Sequence, residues 1–250
     1  MSLQLRLLAP ILTAALVLAA GAAAQTQAPP RPPSQPGTDP ASAINKPFQN
    51  PDAAEWVKKF ESESREVYTQ RSAIVKAVGL VPGMAVADIG AGTGMFSFLF
   101  AERVGPKGKV YAVDISRPFL KHIAELAKKR GLEQVQVVQG TQESINLPEG
   151  VADVAFLSDT YHHLEKSEQT LASIHRALRF GGRLVVVEFD RRAGVSSDFV
   201  LKHVRADKAQ FLAEITAAGF ELIKSPDPPR LKENFFAEFR RVERAGTPPQ

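Results

Sequence analysis

Cysteine is absent from this 250-residue chain, which excludes disulfides, thiolate metal sites and cysteine nucleophiles, and makes an oxidising compartment harmless to folding. Long basic runs are missing as well. The 31 lysines and arginines are interspersed with 27 acids for a net charge of +4, a mixed solvated surface rather than the basic stripe of a nucleic-acid binder. There is no internal repeat, and no glycine loop is followed by the lysine and serine or threonine that a phosphate-binding loop requires. What remains is a chain that is 44% apolar, long enough for one α/β domain with a full core and some appendages.

The first 24 residues, MSLQLRLLAPILTAALVLAAGAAA, carry Arg6, an apolar stretch over 7–20, and Ala22 and Ala24 placed as a cleavage signal before Gln25. This reads as a secretory signal peptide, with an uncleaved anchor as the alternative. The expected location is therefore periplasmic or secreted, without stable membrane association after cleavage, or cytoplasmic if the start is set too early. Residues 25–51 are crowded with proline and small polar residues and lack an apolar period, so a disordered linker is expected there. The domain is expected over 52–244, its first part (52–80) a helical lid, with a disordered tail at 245–250.

At PDAAEWVKKF, Asp52 can cap a helix, with Glu55 three residues on, and Trp56, Val57 and Phe60 share one face. A second helix is expected over 66–80. Valine-rich runs then alternate with amphipathic segments: AVADI, KVYAVDI, VQVVQG, ADVAFLSD and RLVVVEF as strands, with helices after Gly94, at RPFLKHIAELAKKRGL, at SEQTLASIHRAL and at DKAQFLAEITAAGF. Such alternation predicts a Rossmann-like, doubly wound, mostly parallel sheet covered on both faces. The last two runs, ELIKS and NFFAEFRRV, follow one another without a helix and predict an antiparallel edge hairpin that completes seven strands.

In an open parallel sheet, ligands collect beyond the carboxyl ends of the strands, where the first strand turns into its helix. VADIGAGTG occupies that place, and Gly90, Gly92 and Gly94 permit a sharp turn and close approach of a ligand to the backbone. The dinucleotide fingerprint needs a third small residue at position 95, which is methionine here. Asp88 would repel a pyrophosphate but favour a ligand with an amino group or positive charge. Asp114, ending the second strand, is placed to accept hydrogen bonds from ribose hydroxyls.

VADIGAGTG, VYAVDIS and ALRFGGRLVVVEF together resemble the successive motifs of class I S-adenosylmethionine-dependent methyltransferases, a group that includes small-molecule and quinone-type enzymes. The resemblance spans roughly residues 70–240. It implies that Asp88, Gly90, Ala91, Gly92 and Gly94 line the methionine portion of the cofactor, that Asp114 binds the ribose diol, and that Ile115 packs on adenine. Many relatives carry an acid after the third-strand glycine; here the sequence reads QGTQES, so Thr141 or Gln142 stands in as the polar partner. At the end of the fourth strand, FLSDTYHHLEK puts Ser158, Asp159, Tyr161, His162 and His163 nearest the transferred methyl.

A histidine at that point suits a general base, although a structural or substrate-shaping role is equally open. Glu188, Asp190, Arg191, Arg192, His203 and Arg205 either line the acceptor's entrance or form a salt-bridged rim. Nothing in the spacing demands a metal, and none is expected. Trp56, Tyr68 and Arg71 are expected in the lid. The implied reaction is in-line methyl transfer from S-adenosylmethionine to a small-molecule acceptor, with S-adenosylhomocysteine as product and no nucleic-acid partner. Two rivals stand beside it: an exported, non-catalytic module that binds S-adenosylmethionine or a nucleoside, and a nicotinamide-dependent oxidoreductase.

Overall fold

Seven β-branched or aromatic-rich runs form the strands β1 (Ala85–Ile89), β2 (Lys109–Asp114), β3 (Val135–Gln139), β4 (Ala152–Ser158), β5 (Leu178–Phe189), β6 (Phe220–Ile223) and β7 (Asn234–Arg241) of a computed structural model. The structure describes residues 40–243 except Lys224, Pro226 and Asp227. The expected signal segment, the linker up to residue 39 and the tail at 245–250 lie outside the described residues. Among the described residues, no helix is long and apolar enough to cross a membrane.

The strands assemble into one sheet in the order β3-β2-β1-β4-β5-β7-β6. β1 to β5 run parallel, while β7 is antiparallel to both of its neighbours. The expected hairpin is present, but its second strand lies inside, between β5 and β6, and β6 forms the edge. β5 starts at Leu178, earlier than RLVVVEF suggests, and its register against β4 shifts between Ala152 and Val154, as a bulge does.

Alternation along the strands explains the two-sided core. Ala85, Ala87 and Ile89 of β1 join one apolar cluster with Leu157 and Val186, whereas Val86 joins the other with Phe156 and Val185. Successive side chains point to opposite faces, and both faces are covered. β3 is more exposed than its valines suggest, because it is the other edge of the sheet.

The helices are α1 (Pro40–Asn45), α2 (Ala53–Phe60), α3 (Glu66–Thr69), α4 (Arg71–Val78), α5 (Met95–Val104), α6 (Arg117–Arg130), α7 (Ser167–Ala177), α8 (Asp198–His203) and α9 (Lys208–Ala217). Asp52 caps α2 as read, accepting from Ala54 N at 2.9 Å. Glu55 does not complete a capping box; it pairs with Lys58 at 2.7 Å. The helix expected over 66–80 is two helices, broken at Gln70. Glu66 there turns its carboxylate to the backbone N–H groups of Lys232, Glu233 and Asn234 at 2.6–2.9 Å, which fixes α3 to the start of β7.

The linker reading fails over residues 40–51. That stretch carries α1 and a 3-10 turn, Lys46–Phe48, and Asn45 is buried. Its stability comes from docking rather than from an apolar period: Asn45 Nδ2 donates to the His163 carbonyl at 2.9 Å and to Glu165 Oε1 at 2.8 Å.

Candidate active site

The strand order reverses between β1 and β4, so the loops leaving them diverge and open a crevice at their carboxyl ends. A cavity of ≈ 610 Å³ occupies that crevice, within the roughly 300–1,000 Å³ common for small-ligand sites.

The glycine loop forms one wall. Gly90 and Ala91 donate their N–H groups to the Val113 carbonyl at 2.8 and 3.0 Å, which ties the loop to the tip of β2. Gly90 adopts φ +71° and Gly92 φ +55°, a region costly for other residues. Gly94 corrects the sequence reading: it caps α5 and packs against Ile123 and Phe98, and it is not among the residues lining the cavity. Thr93 lines it instead, and its hydroxyl donates to Glu61 at the end of α2 at 2.9 Å.

Asp114 and Asp88 are both buried at this wall. Asp114 Oδ2 accepts from Gly92 N at 2.9 Å, and Oδ1 from Ser116 N at 2.8 Å. Each oxygen keeps a second lone pair. Burial raises the Asp114 pKa, against the opposing hydrogen bonds from Ser116 and Gly92. Asp88 accepts from the Ser97 hydroxyl at 2.5 Å; burial pushes it up to about 7, with Ser97 opposing the rise.

Ile115, Thr141, Gln142 and Ser158 all line the cavity, as their assignment requires. Ile115 is 42% exposed. Thr141 Oγ1 is engaged by the N–H groups of Glu143 and Ser144 at 3.2 and 3.0 Å, and Gln142 Nε2 donates to Glu165 at 3.1 Å. Ser158 Oγ is buried and has no hydrogen-bond partner among the described residues.

The residues after β4 go separate ways. Asp159, at φ +46°, is gripped by Arg65 and by Asn234 Nδ2, the latter at 2.6 Å. Burial raises it to about 6, with the Arg65 charge opposing and Glu188 adding to the rise. His162 is buried beside Glu188: its Nδ1 lies 2.8 Å from Oε1, and its backbone N–H donates to Oε2 at 3.1 Å. His163 Nδ1 lies 2.7 Å from Asn45 Oδ1, and burial, then the neighbouring His162 and His203, holds its pKa far below the ordinary histidine range. Burial followed by His162 also pushes His203 down to about 4.

Tyr161 does not join them. It is fully buried on the far side, its hydroxyl donating to Glu214 Oε2 at 3.0 Å and its ring 5.0 Å from Phe211. It is absent from the cavity lining, so, contrary to the sequence reading, it does not stand beside the reacting groups. Burial, then Glu214, raises its pKa.

The rim residues also divide. Glu188 is fully buried beneath His162, Arg205 clasps Glu214 with two hydrogen bonds of 2.9 and 2.6 Å, and Arg191 donates to the Leu201 carbonyl. Arg192 and Asp190, 3.5 Å apart, make a partly exposed pair. His203 faces the cavity.

The cover is aromatic. Phe48 and Trp56 have ring centroids 4.6 Å apart, Trp56 and Phe60 4.9 Å, and Phe48 and His163 5.1 Å. Trp56 takes the expected part, but Tyr68 and Arg71 stack on one another at 4.0 Å and do not line the cavity. Arg65, Asn45, Phe48 and Asn234 were not singled out from the sequence; they reach the cavity from separate segments, which no local spacing announces, whereas Phe60 lines it beside Trp56 from the helical face read in the sequence.

This sheet order, with a glycine loop at the switch point and an acid at the tip of the next strand, defines the Rossmann-like methyltransferase fold. A family profile described as "Methyltransferase domain" matches residues 80–232, and the chain belongs to this family of S-adenosylmethionine-dependent methyltransferases. Membership of this family implies S-adenosylmethionine as cofactor, with S-adenosylhomocysteine as product. Similar curated proteins include the ubiquinone/menaquinone biosynthesis C-methyltransferases UbiE of Ectopseudomonas mendocina, 35% identical over 118 residues (47% of this chain and 46% of that protein), and of Escherichia fergusonii, 33% identical over 114 residues (45% of each). The chain thus matches a little under half the length of these relatives. Among solved structures, an S-adenosylmethionine-dependent methyltransferase from Aquifex aeolicus superposes with a TM-score of 0.66 at 24% identity, covering 76% of this chain and 99% of that one. A geranyl diphosphate methyltransferase in complex with S-adenosylmethionine gives 0.58 at 15% identity over 72% and 93%. Both show the fold.

Proposed function

We propose that this chain transfers a methyl group from S-adenosylmethionine to a small, largely apolar acceptor. The observation that carries the reading is the cover: Phe48, Trp56 and Phe60 stack over the cavity, while Asn45 and Glu61 bond to the walls beneath. An aromatic roof packed over part of the crevice favours a ligand of limited size over a polymer, which needs a long open groove. The similarity to the UbiE C-methyltransferases of ubiquinone/menaquinone biosynthesis supports an acceptor with an apolar ring.

The wall suits the cofactor on chemical grounds. Asp114 keeps two lone pairs for a vicinal diol, and Asp88 offers a carboxylate to a cationic methionine portion. Gly90, Ala91 and Gly92 allow backbone approach; a Cβ on Gly92 would already stand 3.3 Å from the Phe60 ring. Ile115 presents an apolar surface for adenine, with Thr141 and Gln142 at its margin, and the unpartnered Ser158 hydroxyl gains a partner. When bound, the cofactor supplies an electrophilic methyl on a sulfonium, taken by in-line displacement without a covalent enzyme intermediate.

The chain's own part is to hold two reactants in line and to exclude water, an advantage that reaches ~10⁵ M in effective concentration for well-oriented pairs. Asp159, His162 and His163 are assigned to the acceptor end. Incubation with methyl-labelled S-adenosylmethionine and a panel of quinols, phenols and isoprenoids is expected to move label into an organic extract. Cofactor binding with no transfer to any acceptor would favour the non-catalytic module instead.

Export by residues 1–24 is a separate part of the proposal, motivated by Arg6, the apolar stretch and the Ala22 to Ala24 signal. Fractionation with N-terminal sequencing tests it, and a cytoplasmic chain retaining Met1 would defeat it.

A further inference from the structure

Three of the five histidines in the sequence converge at the acceptor end of the cavity. His162 and His163 are consecutive in the 3-10 turn Tyr161–His163, and His203 ends α8. One ligating nitrogen from each lies within 4.8 Å of the others. We propose that His162, His163 and His203 bind one divalent first-row transition ion of the zinc type. The proposal deepens the assignment of the acceptor end and rests on it only for what the ion's open position would face.

The hydrogen bonds behind the rings are those a metal site needs. Glu188 and Asn45 present acceptor oxygens to Nδ1 of His162 and His163, at 2.8 and 2.7 Å. Each Nδ1 therefore carries the proton, and each Nε2 keeps its lone pair for a ligand. Carboxylate or carbonyl partners of this kind orient metal-bound histidines and strengthen them as ligands. His162 is 1% exposed, and its Nε2 is buried with no hydrogen-bond partner among the described residues. A buried lone pair left unmatched is costly, and a cation supplies the match.

Charge and chemistry select the ion class. Two buried carboxylates, Glu188 and Asp159, adjoin three imidazoles, and Arg65 offsets one of them. Imidazole nitrogens suit zinc, copper, nickel and iron rather than magnesium or calcium. Three protein ligands leave a fourth position open, as in catalytic rather than structural zinc sites, and all three histidines line the cavity. At a metal–nitrogen distance of about 2.1 Å, tetrahedral ligands stand roughly 3.4 Å apart. The half-buried His203 supplies that contraction by side-chain rotation at the end of its helix.

An aromatic stack is the competing account, since His203 also lies 4.7 Å from Phe199 and 5.0 Å from His162. The full-length chain, stripped with EDTA and dialysed, is titrated with ZnCl₂ by calorimetry and with CoCl₂ by visible absorption, with S-adenosylhomocysteine binding measured on the same preparation. About one ion per chain, tetrahedral cobalt bands and a zinc-dependent rise in Tm are expected. His203→Ala is expected to keep a cooperative melting transition while losing the ion and the zinc-dependent rise, and Asn45→Ala to weaken zinc roughly 10–100-fold. Binding of S-adenosylhomocysteine without any metal uptake overturns the metal site alone and leaves a stack. Unchanged zinc affinity in His203→Ala overturns it too. Metal uptake without S-adenosylhomocysteine binding supports the site and removes the functional reading around it.

Discussion

The carboxylate of Asp114 accepts a 2.9 Å hydrogen bond from the backbone N–H of Gly92, twenty-two residues earlier. This single contact joins the glycine loop after β1 to the tip of β2. The same side chain therefore sets the shape of the loop and offers its remaining lone pairs to a ligand.

Gly90 is required for two reasons, which a double mutant separates. Its φ of +71° disfavours a side chain, and a Cβ would lie within 2.5 Å of Thr160 Oγ1. Gly90→Ala is expected to cost about 2–5 kcal/mol, combining left-handed strain with overpacking. In chemical denaturation, Thr160→Ala should recover part of that loss, a coupling of roughly 0.5–3 kcal/mol. Strict additivity would remove the clash as a cause.

Asp88 predicts a pH dependence of definite sign. Burial lifts its pKa from 3.8 to about 7, so between those values the folded chain holds a proton that the unfolded chain has released. Its contribution to stability is full below the unfolded pKa and is lost as pH rises through the folded one. Asp88→Asn should flatten the stability curve over that window relative to wild type. A cationic cofactor should also expel the proton near pH 6, seen as a buffer-dependent binding enthalpy that Asp88→Asn lacks. Parallel stability curves and no proton release would contradict this account of the buried acid.

Tyr161→Phe tests whether Tyr161 serves packing alone. The substitution keeps the ring against Phe211 and removes the hydrogen bond to Glu214. A loss of about 0.5–1.5 kcal/mol in stability is expected, with the methyl-transfer rate near wild type. A fall in kcat beyond about tenfold, or ~1.4 kcal/mol of barrier, would return Tyr161 to the reacting groups.

The sheet was legible because its strands are short valine-rich runs whose alternate residues, such as Val86 and Ala87, are buried on opposite faces. The glycine loop and Asp114 were legible because their spacing along the chain reflects one turn and one strand. Gly94 was misplaced because three nearby glycines read as one unit, although the third packs on Ile123. The run Tyr161, His162, His163 was misread in part because Tyr161 turns away from its neighbours in the 3-10 turn, toward Glu214, while His162 and His163 line the cavity. Asp159 meets Arg65 and Asn234 across 94 and 75 residues of sequence, and Asn45 docks from a stretch without an apolar period. Such convergence is a property of the fold, invisible to local pattern.

Calorimetric titration of the full-length chain with S-adenosylmethionine and, separately, with NAD tests the central claim most directly. One S-adenosylmethionine per chain is expected, with no NAD binding. Asp114→Asn should weaken the complex roughly ten- to a hundredfold, the scale of charge-assisted hydrogen bonds worth about 1.5–3 kcal/mol. Tight binding of NAD, or failure of the folded wild-type chain to bind S-adenosylmethionine, would contradict the account.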